Sequence, residues 1–178
     1  MEFLTLSKQE VEDLSHYRGI LHPHILISIH GTNEKVKLPT SPYLRDTLEL
    51  EFDDLTKPLD GYYLFDTDQA RQILNFVERN CHRVNLIITH CHAGISRSAG
   101  VNGALSKILN NSDDKIFKTR VPNMHVYTTI LDEYFLTKKY PEKYPHMWYL
   151  RERSMMNTLS PVIVRGSRIK AVSDEKTV

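Results

Sequence analysis

Val84-Asn85-Leu86-Ile87-Ile88-Thr89-His90-Cys91-His92-Ala93-Gly94-Ile95-Ser96-Arg97-Ser98 passes from an apolar, β-branched run through a short loop into a helical pattern. The run Val84–Thr89 suits a central parallel strand covered on both faces. Beyond Ser98, the residues Val101, Leu105, Ile108 and Leu109 recur at the spacing of one helix face. Gly94 stands at mid-loop, where backbone must approach a ligand or take φ > 0. A strand that feeds a tight loop opening a helix aims several backbone N–H groups at one point. It also adds the positive end of the helix dipole there. Cys91 sits at the mouth of this loop, so its thiol is expected to be pushed toward thiolate with an oxyanion held in front of it. Arg97, six positions on, carries a planar fork suited to two oxygens of a phosphoryl group. These residue types predict attack of sulfur on phosphorus and a cysteinyl-phosphate intermediate.

A bare Cys-x5-Arg pattern is weak, because with two cysteines it arises by chance in roughly one chain of ten. The competing reading is a structural turn around a buried cysteine. The preceding histidine, the mid-loop glycine, the serine after the arginine and the strand and helix on either side make the combination specific. His-Cys-His-Ala-Gly-Ile-Ser-Arg-Ser resembles the signature loop of the cysteine-dependent protein tyrosine phosphatases, and most closely that of the compact dual-specificity branch. The resemblance extends upstream to Leu48–Asp54 and downstream to Val121-Pro122-Asn123 and the amphipathic stretch to Phe135, and its wording is similar to short bacterial and phage members. It covers roughly Ile25 to Phe135.

The resemblance implies a phosphatase acting on a phosphorylated protein, with phosphotyrosine as substrate and phosphoserine or phosphothreonine as further possibilities. Cys91 is then the nucleophile and Arg97 the phosphoryl clamp. The Ser98 hydroxyl is placed to hydrogen-bond the thiolate and help it leave in the second step. His90 is expected to buttress the loop from behind. His92, Ala93, Gly94, Ile95 and Ser96 line the phosphate mainly through their amides. Arginine and amides carry the charge, so no metal and no cofactor are required. Asn123 has two readings: a helix N-cap, or the family's residue whose side chain steadies the catalytic loop.

The leaving oxygen needs a proton from another loop. Asp66 and Asp68 read as helix-start acids, which leaves Asp53, Asp54 and Asp60. Asp54 stands just past a strand at Thr47–Phe52, where the resemblance places the acid, with Asp53 beside it. It lies 37 residues before Cys91, farther than is usual in the compact branch, whereas Asp60 lies 31 before it. Asp54 ranks first, Asp53 second and Asp60 third.

The rest of the chain frames this loop. Ser7-Lys8-Gln9-Glu10 reads as a capping box opening a short helix through Ser15. Ile25–Ile29 is a buried strand, and Thr47–Phe52 alternates leucine with glutamate as a strand with one wet face. Asp53–Asp66 is a loop broken by Pro58 and Gly61. Asp66 or Thr67 caps a helix carrying Ala70, Ile73, Leu74 and Val77 inward, and Pro122 or Asn123 opens another carrying Val126, Ile130 and Leu131. A last helix is expected around Trp148–Met156, followed from Ser160 by a β-type pattern that frays into polar residues. Alternating strands and helices make a single-domain α/β fold: a central, mostly parallel sheet flanked by helices, with the phosphate-binding loop between a central strand and a helix. The phosphatase domain is expected over residues 1–158 and a partly ordered or extended tail over 159–178.

Composition excludes several classes. The 178 residues carry 23 basic and 22 acidic side chains, a net charge of +1, which disfavours nucleic acid as a partner. No segment approaches 18 uninterrupted apolar residues, so no membrane span is predicted. Two cysteines and no disulfide framework point to a reducing, cytoplasmic setting. A monomer is expected. Cys81 and Cys91 flank a strand of about 20 Å, far beyond disulfide reach. His90 and His92 invite a zinc reading, but ligands adjacent in one extended stretch do not readily close a tetrahedron. Other functions remain for the same loop: an RNA 5′-triphosphatase, a phosphoinositide phosphatase, or a phosphotyrosine-binding pseudophosphatase. Phosphoinositide-directed members often carry lysines among the five loop residues, and this loop has none. Retention of both Cys91 and Arg97 speaks against a pseudophosphatase.

Overall fold

The structure, a computed structural model, describes residues 1–14 and 20–153. Four strands form one sheet: β1 (Glu2–Ser7), β2 (His24–His30), β3 (Leu44–Glu51) and β4 (Leu86–Cys91), in the order β1-β4-β2-β3. Every pairing among them is parallel. Period-two alternation sorts their side chains. Ile25, Ile27, Ile29 and Ile87 enter the larger core, and Leu26, Leu86 and Ile88 the smaller one on the opposite face. Both faces of the two central strands are therefore apolar, as parallel strands covered on both sides require.

The larger core is closed by α2 (Thr67–Asn80), α3 (Arg97–Asn110) and α5 (Met124–Lys139), with α4 (Asp114–Thr119) beside α3. The smaller is covered by α1 (Lys8–Leu14), whose Val11 is fully buried. The expected caps form. The Ser7 amide donates to Glu10 Oε2 at 2.7 Å and the Glu10 amide to Ser7 Oγ at 3.2 Å. Asp66 accepts from the Gln69 amide at 2.8 Å while Gln69 Oε1 accepts from the Asp66 amide.

Several elements depart from expectation. The central strand begins at Leu86 and runs on to include Cys91, so the sulfur is carried by the last residue of the strand. Strand β1 was not expected, and it is the edge that pairs with β4 from Glu2–Leu86 to Ser7–Cys91. Its glutamate and threonine weaken the apolar pattern of a six-residue segment, and the partner that stabilises it lies more than eighty residues away. Helix α4 is only one and a half turns long, too short to show helical periodicity. Helix α3 is buried nearly all round, because it lies between the sheet and α5. Of the expected last helix, 148–153 is helical and the remainder lies outside the described residues, as do Ser15 and the whole 159–178 tail.

Candidate active site

Cys91 is 2% exposed and sits where β4 gives way to the loop. Its Sγ lies 3.1 Å from the Ser98 hydroxyl. Burial alone would push the thiol up. The Ser98 hydroxyl, the backbone N–H groups of Ser98 and Gly94 and the nearby Arg97 charge outweigh it and hold the pKa below that of an ordinary cysteine. The local turn that aims those amides depends on Gly94, whose φ is +69°. A Cβ there would stand 2.6 Å from the Leu6 carbonyl carbon and the Ser7 nitrogen. The close approach is thus to the backbone where β1 meets α1, not to a ligand. The Lys8 amide completes this support by donating to His92 O at 3.1 Å.

Arg97 opens α3 and is 7% exposed. Its Nη1 donates to Phe52 O at 2.8 Å, which fixes the guanidinium against the chain just before the two aspartates. Its Nε is buried with no hydrogen-bond partner among the described residues. A buried donor of this kind, beside a sulfur and a ring of amides, matches a phosphoryl oxygen. His90 Nε2 is 2.8 Å from Ser28 Oγ on β2. Burial lowers its pKa to about 4, so it is neutral and ties the end of β4 to β2. Ser98 O accepts from Thr89 Oγ1, tying the helix start back to the strand.

The three aspartates separate clearly. Asp54 Oδ1 accepts from Ser96 Oγ at 2.8 Å and from Asn123 Nδ2 at 2.8 Å, which brings the segment after β3 onto the loop after β4. Asp53 turns away. Its carboxylate accepts from the Tyr63 amide at 2.9 Å and lies 3.4 Å from Thr32 Oγ1, closing the base of the following loop. Asp60 lies in the exposed turn from Leu59 to Tyr62 and makes no hydrogen bond to a site residue among those described.

Asn123 fills both of its expected roles in part. Its Oδ1 accepts from the Val126 amide as the N-cap of α5. Its Nδ2 donates to Asp54 and to Leu55 O, in the segment that follows β3, and so reaches Ser96 through Asp54. Its backbone amide holds the loop after β4, donating to Ser96 O at 3.0 Å. Ala93 and Ile95 are exposed on the loop's outer surface.

Glu34 escaped sequence reasoning, since it sits in a polar loop without a motif. Its Oε1 lies 2.9 Å from His92 Nδ1 and 3.5 Å from Lys8 Nζ, and Oε2 accepts from the Gly31 amide. Burial opposes its charge. The contacts with His92, Gly31 and Lys8 more than offset that and bring its pKa down to about 2. His92 therefore contributes its side chain as well as its amide.

No protein-family model matches this chain, and no curated protein matches it. Solved structures do. A variant of human DUSP28 aligns with a TM-score of 0.52 at 14% identity, covering 77% of this chain and 92% of that one. Human DUSP28 itself aligns with a TM-score of 0.50 at 14% identity, covering 77% and 94%. PTPMT1, solved in complex with PI(5)P, aligns with a TM-score of 0.50 at 13% identity, covering 78% and 93%. The chain has the α/β fold of the compact dual-specificity phosphatases.

Proposed function

We propose that this chain is a cysteine-dependent phosphatase that hydrolyses phosphotyrosine in protein substrates, with phosphoserine and phosphothreonine as further substrates. One observation carries the reading. A thiol with a lowered pKa ends a central parallel strand, where the Ser98 and Gly94 amides are aimed at it and the nearby buried Arg97 guanidinium has no partner for its Nε among the described residues.

In the proposed reaction the Cys91 thiolate attacks phosphorus and forms an S–P bond while the P–O bond to the substrate breaks. Asp54, protonated, gives its proton to the departing oxygen. Arg97 and the loop amides hold the equatorial oxygens through the transition state. Water then attacks the cysteinyl phosphate. Asp54 takes its proton, the S–P bond breaks, and the Ser98 hydroxyl stabilises the returning thiolate. Phosphate and the free hydroxyl of the substrate are the products. A thiolate nucleophile needs a reducing compartment, in keeping with a cytoplasmic location. The catalytic unit is assigned to residues 1–158 and the remainder to a tail.

Two substitutions test the mechanism. Cys91→Ser should abolish release of phosphate from an aryl phosphate while leaving binding of a phosphotyrosine peptide intact. Asp54→Ala should lower kcat by about 10²–10⁴-fold on substrates with poor leaving groups, and much less on p-nitrophenyl phosphate. Turnover that survives Cys91→Ser, or a loss that follows Asp60→Ala in place of Asp54→Ala, would remove these assignments.

A further inference from the structure

Beside the phosphate cradle lies a second concavity of about 580 Å³, lined by segment 55–59 on one side and Val121–Met124 on the other. Asp54 and Ser96 belong to both, so the two are one continuous surface. Its edge is apolar and exposed: Leu59 is 55%, Val121 73% and Met124 46% accessible. On the loop between them, Ile95 is 48% exposed. Bulky apolar side chains gathered in this way mark a surface that something covers. The groove is also preformed. Pro58 and Pro122 each fix a backbone φ in its walls, and Asn123 bolts the two walls together through Asp54 and Leu55.

We infer that this groove receives a bulky apolar side chain of the substrate polypeptide, one to three residues from the phosphorylated one, and so selects phosphopeptides with an apolar flank. The inference rests on the phosphatase reading and deepens it. The occupant follows from continuity: whatever fills the groove touches Asp54 and Ser96, and so belongs to the molecule whose phosphoryl group is in the cradle. An extended peptide advances about 3.3 Å per residue, which sets the range of positions that reach it. A polyanionic headgroup fits poorly, because Lys57 is the one cation among the described lining residues and the shared wall carries the Asp54 carboxylate.

The test uses a phosphotyrosine peptide with serine at all flanking positions, and a set in which leucine replaces serine at one position from −3 to +3. In the wild-type protein, leucine at one or more positions should raise kcat/KM by about 10-fold or more. The double variant Leu59→Ser/Val121→Ser should reduce that advantage to about 3-fold or less, while hydrolysis of p-nitrophenyl phosphate stays within about 2-fold. Equal rates for every peptide, or a leucine advantage that survives in the double variant, overturns the inference. Phosphoinositide vesicles form a separate arm. If they are turned over faster than any peptide and that rate falls in the double variant, the groove serves lipid and the peptide assignment is wrong. Should the wild-type protein fail to hydrolyse p-nitrophenyl phosphate, the catalytic reading itself fails. The same peptide series, read as Kd by fluorescence titration, still decides for or against the groove.

Discussion

Cys91 and Cys81 are both buried, yet their surroundings drive them in opposite directions. Burial and the Glu78 carboxylate push Cys81 up to about 12, so it stays a thiol at any working pH. Cys91 has donors aimed at its sulfur and lies below the ordinary value. At neutral pH, limiting iodoacetamide should therefore alkylate Cys91 and spare Cys81, with vanadate protecting Cys91. Peptide mass spectrometry reads the outcome, and equal labelling of the two would contradict the site. His90 supplies a second prediction. Its folded pKa of about 4 lies below the unfolded value of 6.5, so between these the unfolded chain binds the extra proton. Stability is thus full above pH 6.5 and falls as the pH drops toward 4, by at most about 3 kcal/mol. Chemical denaturation between pH 7 and 4.5 should show this loss, and His90→Asn should flatten that part of the pH dependence. The clustering of these residues was legible because they lie in one contiguous segment. Glu34 was not, since nothing near it in sequence announces a partner 58 positions away.

The elements are held in register by close backbone approaches. Helix α3 lies so near α5 that a Cβ on Gly100 would stand 2.7 Å from Asn123 O and 3.1 Å from Val126 Cβ. Gly100→Ala should therefore force α5 outward and cost about 1–3 kcal/mol. It would also strain the Asn123 amide that holds Ser96, so kcat/KM should fall with stability. Gly94→Ala should be worse, because it adds a positive-φ penalty to a clash with backbone at 2.6 Å. Thermal melts and p-nitrophenyl phosphate turnover check both, and neutral behaviour at Gly94 would argue against this loop geometry. Long periodic elements such as α2 and α5 were readable from spacing. Strand β1 was not, because an edge strand of mixed polarity is decided by its partner. Asn102 shows the connection, reaching from α3 to donate to Leu4 O at 3.1 Å and Thr5 Oγ1 at 2.8 Å.

At the scale of the whole molecule, the last described segment is packed into the core. Leu150 is fully buried, and its amide and that of Tyr149 donate to the Glu78 carboxylate at 2.9 and 2.8 Å. Tyr134 Oη donates to Leu150 O, closing α5 onto the same segment. With the catalytic unit proposed to end at residue 158, removing residues 159–178 should leave the melting temperature within about 2 °C and kcat/KM on p-nitrophenyl phosphate unchanged. A large loss of either would show that the tail belongs to the catalytic unit. The sequence alone was enough for the strand that ends in Cys91, the loop after it and the helix that Arg97 opens, because a strand, a tight loop and a helix N-terminus are built from consecutive residues by local backbone geometry. Spacing alone left Asp53, Asp54 and Asp60 open and did not reveal Glu34. Only the packed chain turned Asp54 toward Ser96 and Asn123, 42 and 69 positions away, and set Asp53 to closing a loop. Contacts between distant segments depend on sheet order and helix packing, which no local pattern encodes.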